Sequence, residues 1–98
     1  MYKPKLLAND FDFVSILPDW HVNLATQELE RVFVFKDFKS AFEFMTLCAN
    51  KAEELDHHPD WSNSWNKVSV RLSTHSMKAL TELDLTMASA MDQFALQV

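Results

Sequence analysis

Glycine is absent from this 98-residue chain, whereas average usage of about 7% predicts roughly seven. A loop that cradles phosphate needs glycine where the backbone closes on the anion, so P-loop and dinucleotide-binding sites are excluded. The sharp turn of an EF-hand calcium loop needs glycine too, which argues against that site. Cysteine is almost absent. Cys48 stands alone, so no internal disulfide is expected, and a reducing compartment, the cytoplasm, is the expected location. Basic excess is lacking as well: 9 Lys and Arg against 14 Asp and Glu give a net charge of −5, which argues against direct binding to nucleic acid. No apolar run approaches the roughly 20 residues of a membrane span. Leu6-Leu7-Ala8, after Met1-Tyr2-Lys3-Pro4-Lys5, is too short for the core of a secretion signal. The expectation is a soluble protein with no membrane partner.

What remains is ordinary globular composition, with 48% hydrophobic and 23% charged residues. No repeat or linker divides it, so one domain over residues 1–98 is expected, with a poorly defined N-terminal segment over 1–17. There Asn9 is a candidate cap for a short helix with Phe11, Val14 and Leu17 on one side, ended by Pro18. Trp20, Val22 and Leu24 alternate with His21 and Asn23, the mark of a half-buried strand. A second strand runs from Leu29 to Phe35, rich in β-branched and aromatic residues. The short link Ala25-Thr26-Gln27-Glu28 makes the two a hairpin, but without the Asn-Gly or Asp-Gly of a tight turn.

The period then changes. Phe38, Ala41, Phe42, Met45, Cys48, Ala49 and Ala52 recur at three- and four-residue steps, an amphipathic helix capped by Asp37 that fades near Leu55-Asp56. Val68, Val70 and Leu72 alternate with polar residues, and Trp61 to Trp65 reads as a strand before them, turning at Asn66-Lys67. Asn66 is expected to supply the positive φ that glycine supplies elsewhere. Thr81 caps a last helix, with Asp84 at its third position and Leu80, Leu83, Met87, Ala88, Met91, Phe94 and Ala95 as its apolar stripe. The order ββαββα with short links predicts a two-layer α+β domain, a four-stranded antiparallel sheet with helices on one face.

Three of the four histidines fall in two loops: His57-His58-Pro59 after the first long helix, and His75 after the last strand. Glu53, Asp56, Asp60 and Asp84 are near them in sequence. Solvated loop residues are one reading. A zinc site is another, since histidines with a carboxylate form a known ligand set, but adjacent His57 and His58 diverge unless the backbone turns sharply between them. General acid–base catalysis is the third, because imidazole gives and takes protons near neutrality. Cys48 sits on an apolar stripe, where an inert thiol is expected. His21 lies on a polar strand face and reads as structural or solvated.

The spacing carries a resemblance. Glu53, three residues, His57-His58-Pro59, five residues, Trp65, nine residues, His75, eight residues and Asp84 resemble the signature of the pterin-4a-carbinolamine dehydratases. Phe35-Lys36-Asp37-Phe38, Phe42-Glu43-Phe44-Met45, Leu72-Ser73-Thr74-His75 and Leu80-Thr81 resemble the same family. The likeness runs from about Val32 to Phe94 and reaches back toward Trp20. Residues 1–17 match the family's N-terminal helix poorly, and Ala79 stands where relatives commonly have glycine. At a position needing positive φ, alanine costs about 1 kcal/mol.

The resemblance implies an enzyme that dehydrates 4a-hydroxytetrahydrobiopterin to quinonoid dihydrobiopterin plus water, in tetrahydrobiopterin recycling. It implies a pterin substrate, no cofactor and no metal. By the same resemblance His57, His58 and His75 are the catalytic histidines, with His57 and His75 as the acid–base pair and His58 orienting the pterin. Glu53, Asp56, Pro59, Trp61, Ser73, Thr74 and Asp84 are the supporting residues. Glu53 is placed to bond an imidazole one helical turn on. Asp84 either caps its helix or supports the site, Trp61 stacks on the pterin or packs beneath the loop, and backbone groups of Ser73 and Thr74 read the pterin's amide edge. A homodimer or homotetramer is also implied. The alternative is a non-catalytic dimerisation or coactivator-type interaction module on the same fold.

Overall fold

Val68, Val70 and Leu72 alternate with Lys67, Ser69 and Arg71. In the computed structural model, which describes residues 3–98, the first three are buried and the others exposed. Met1 and Tyr2, where the secretion-signal reading begins, lie outside the described residues. Four strands form one sheet: β1 (His21–Asn23), β2 (Glu28–Val34), β3 (Asp60–Ser64) and β4 (Lys67–Leu72). They lie in the order β1-β2-β4-β3, all antiparallel. Register puts Phe33 opposite Val68, and Leu29 opposite Leu72. These four make one buried face. On the other face Val32 and Val34 stay exposed.

Two long helices cover the buried face: α2 (Phe38–Leu55) and α3 (Glu82–Ala95), with the short α1 (Phe13–Ile16) ahead of the sheet. The expected two-layer α+β architecture is present. Asp37 caps α2 by accepting a hydrogen bond from the Ser40 amide at 2.8 Å. This partner holds the Asp37 carboxyl below its ordinary range, because the amide bonds the charged form. The core centres on Phe44 of α2, whose ring lies 4.6 Å from that of Phe33 and 4.9 Å from that of Phe35. Replacing a buried phenylalanine by alanine costs about 3–5 kcal/mol. Cys48 is fully buried in this core, and burial pushes its thiol up to about 12.

Several local expectations are corrected. The N-terminal helix is capped by Asp12 and not Asn9, through the Ser15 amide at 3.2 Å and hydroxyl at 2.6 Å. It lasts one turn, so Phe13 and Leu17, four residues apart, face the core while Val14 is exposed. β1 stops at Asn23, whose side chain accepts from the Thr26 amide and starts the turn, which leaves Leu24 exposed. In the β3–β4 turn the positive φ falls on Trp65, at 49°, and not on Asn66. Asn66 acts instead through its side-chain amide, which donates to the Phe35 carbonyl at 2.8 Å and ties the turn to the end of β2. Ala79 has ordinary backbone, and the left-handed residue is Lys78, at φ 49°.

Before α1, residues 5–7 run antiparallel to residues 80–82. The Leu7 amide donates to the Leu80 carbonyl at 3.1 Å, and the Glu82 amide to the Lys5 carbonyl at 3.0 Å. The second bond satisfies one amide that the start of α3 leaves without an intrahelical acceptor.

Candidate active site

The site forms where the end of α2, the start of β3, the end of β4 and the start of α3 meet. α2 ends at Leu55, and its C-cap Asp56, with a left-handed φ of 51°, reverses the chain, while the next amide, that of His57, donates to the Ala52 carbonyl at 3.0 Å. Aspartate is among the few residues besides glycine that tolerate this geometry. Pro59 cannot continue the helix, and β3 starts at Asp60. The reversal sends the adjacent histidines in opposite directions. His57 points inward, its Nε2 2.7 Å from Asp84 Oδ1. His58 turns back along α2, its Nε2 2.5 Å from Glu53 Oε2. Glu53 therefore serves His58, not the histidine one turn after it.

The third histidine comes from the other side. β4 ends at Leu72, and His75 opens a 3-10 turn over His75–Met77. The Thr74 amide closes this loop on the Ala79 carbonyl at 3.0 Å. His75 Nε2 lies 3.0 Å from Asp60 Oδ2. Each of the three histidines thus has its own carboxylate. The pairs differ in setting: His57 and Asp84 are 8% and 0% exposed in their side chains, against 56% and 78% for His58 and Glu53.

A cleft of about 630 Å³ is lined by His57, His58, Pro59, Asp60, Thr74 and His75. Asp56 and Ser73 line it as well, and Pro4 of the N-terminal segment reaches it. A depression of similar volume, about 590 Å³, lies on the open sheet face by His21, Glu30 and Arg71. There His21 is 3.9 Å from Glu30 and solvated, as its strand position predicts. The chemistry gathers in the first cleft. Among the described residues no cluster of histidine, cysteine and carboxylates is arranged to hold a metal ion.

Asp84 both caps its helix and supports the site. Its Oδ2 accepts from the Thr81 amide at 2.9 Å, completing a capping box at the start of α3, and from the Thr74 hydroxyl at 2.9 Å. Its Oδ1 faces His57. A carboxylate buried this deeply is tolerated when hydrogen bonds replace its water. Trp61 is half-buried against the core, the packing position. Sequence reasoning missed the pairing of Asp60 with His75 and the part Thr81 plays beyond capping. Asp60 is near the histidines in sequence, but its approach to His75 follows from the β3–β4 register, which sets Asp60 opposite Arg71.

With this geometry in view, comparison with known proteins is decisive. Residues 6–94 match the family model described as pterin 4 alpha carbinolamine dehydratase. The chain belongs to this family. A relative from Rhizorhabdus wittichii, provisionally named pterin-4-alpha-carbinolamine dehydratase, is 44% identical over 84 residues, spanning 86% of this chain and 87% of the relative. The crystal structure of a transcriptional coactivator/pterin dehydratase from Brucella melitensis superposes with a TM-score of 0.84 at 40% identity, covering 93% of this chain and 99% of that one. A pterin dehydratase-like protein identified as a RuBisCO assembly factor in the alpha-carboxysome shares the fold, with a TM-score of 0.69 at 20% identity over 82% of this chain and 93% of that one. The matched residues include the three loop histidines and the three carboxylates that face them.

Proposed function

We propose that this protein is a dehydratase that converts 4a-hydroxytetrahydrobiopterin to quinonoid dihydrobiopterin and water, serving tetrahydrobiopterin recycling. The observation that carries the reading is the cleft lined by three histidines, each with a carboxylate of its own beside it. The reaction removes the proton from ring N5, forms the N5–C4a double bond and expels the C4a hydroxyl, which leaves as water once it gains a proton. One base and one acid near adjacent atoms are needed. His57 is the base: the imidazolium it forms by taking the N5 proton is stabilised by the buried Asp84, 2.7 Å away. His75, across the cleft, supplies the proton to the leaving hydroxyl. His58, steadied by Glu53, orients the ring. Of the two residues after β4, Ser73 is the one to offer backbone groups to the pterin's amide edge, because the Thr74 amide and carbonyl already bond Ala79 and Met77. Both proton transfers run between side chains and substrate, so activity is expected to survive chelation.

His57→Ala and His75→Ala should each slow dehydration by about 100-fold or more, the scale of acid–base catalysis. Unchanged rates in both variants would remove the two histidines from the mechanism.

A second reading has its own observation. Phe38 and Phe42 on the outer side of α2 are 48% and 55% exposed, their rings 5.8 Å apart. Large exposed apolar residues side by side suit a protein interface, and the expected homodimer or homotetramer would use such a surface. An interaction role independent of catalysis predicts that a triple histidine variant keeps its cellular phenotype. A strictly monomeric mass by light scattering would count against the oligomer.

A further inference from the structure

The hydrogen bonds around Asp84 run in one direction only. The Thr74 hydroxyl has one proton, and it goes to Asp84 Oδ2 at 2.9 Å. Thr74 and Thr81 oxygens lie 2.6 Å apart, so Thr81 must be the donor in that bond. Thr81 Oγ1 in turn accepts from the Leu83 amide at 3.2 Å. The Thr81 amide adds a second donor to Oδ2 at 2.9 Å. Two donors on Oδ2 leave no room for a proton there. Oδ1 is the oxygen left to His57, whose Nε2 lies 2.7 Å away. Thr74, Thr81 and Asp84 are 3%, 0% and 0% exposed, so water does not compete for these bonds.

We infer that Thr74 and Thr81 are positioning residues, which act through Asp84 to lock the His57 proton on Nε2 and so leave Nδ1 as the nitrogen that takes the substrate proton. This deepens the acid–base reading and rests on it for the kinetic part alone; the tautomer is a property of the folded chain whatever its substrate. The hydroxyl of Thr74 is the pivot. Without it Oδ2 loses a donor, the Thr81 hydroxyl loses its acceptor, and the carboxylate is free to rotate or to exchange its role with His57.

The test is NMR of the full chain labelled with ¹⁵N-histidine, at a pH where the ring is neutral, on wild type, Thr74→Val and Thr74→Ser. In wild type His57 should show a protonated Nε2 and an unprotonated Nδ1. Thr74→Val should convert this to a mixture of tautomers, and Thr74→Ser should restore it. In the dehydration assay Thr74→Val should lower kcat by about 10–100-fold, the range a misaligned group costs, with KM within about twofold of wild type, and Thr74→Ser should recover most of the rate. A wild-type His57 protonated on Nδ1 overturns the inference, and needs no variant to fold. So does a Thr74→Val protein with unchanged tautomer and kcat, or a loss that Thr74→Ser fails to rescue. Wild type that turns over no pterin, yet shows the Nε2 proton and its collapse in Thr74→Val, supports the positioning role and refutes the dehydratase reading.

Discussion

Of the three carboxylates on α3, Asp84 in its first turn and Asp92 in its last each draw side-chain donors from distant parts of the chain. Asp92 Oδ1 accepts from Trp20 Nε1 at 2.8 Å and from the Arg31 guanidinium at 2.6 Å. Asp84 is met by an amide, a hydroxyl and an imidazole. The helix dipole separates them. A negative charge is favoured near the N-terminus and disfavoured near the C-terminus, so Asp92 requires a cation and Asp84 does not. A guanidinium is a permanent cation in proteins, and that of Arg31 also lies 4.2 Å from the Phe33 ring. That fixes Asp92 as a strut between α3, β2 and the residue before β1. Asp84 faces His57, which can gain and lose a proton beside it. The same residue type on the same helix is held by a guanidinium at one end and meets an imidazole at the other.

The sharpest break of this comparison is a pair of isosteric changes. Asp84→Asn should lower the dehydration rate by about 100-fold or more, because an amide cannot accept from His57 on one side and from Thr74 and Thr81 on the other. Asp92→Asn should leave the rate within about threefold while lowering stability by about 1.5–3 kcal/mol, the scale of a hydrogen bond to a charged group; denaturant unfolding beside the rate assay measures both. Equal activity loss in the two variants would erase the distinction.

Cys48 extends the comparison to a buried group with neither cation nor strong donor. Burial raises its thiol from 9.0 to about 12. The folded state therefore holds the thiol proton more tightly than the unfolded chain, and the contribution of Cys48 is intact below pH 9 and lost as pH climbs toward 12. Thermal melts of wild type should fall more steeply across that window than those of Cys48→Ala. Asp37 gives the smallest effect. Its folded value is depressed by its bonds to Ser40, so its stabilisation holds at neutral pH and is lost as pH falls through that value, below the ordinary 3.8. The melting difference between wild type and Asp37→Ala should close in acid.

Much of this was legible in the sequence where one local rule governs. The Thr81–Asp84 capping box needs only two positions on one helix, and α2 begins after Asp37 as its periodicity requires. The histidine loops were visible from residue spacing. What local rules missed depends on how the chain turns without glycine. Left-handed backbone falls on Gln27, Asp56, Trp65 and Lys78, residues that nothing in the sequence marks apart from Asp56. The twist at Asp56 decides that Glu53 meets His58 and that His57 meets Asp84. Asp60 reaches His75 only through the register of β3 on β4, a tertiary fact. The missing glycines, which exclude phosphate loops, are replaced at the site itself by an aspartate that reverses the chain.

The most direct measurement is stopped-flow dehydration of synthetic 4a-hydroxytetrahydrobiopterin by the purified protein. Catalysed appearance of quinonoid dihydrobiopterin, slowed about 100-fold or more by His57→Ala and by Asp84→Asn and retained by Asp92→Asn, is the result predicted. A rate no faster than the uncatalysed reaction, with the fold intact, would contradict it.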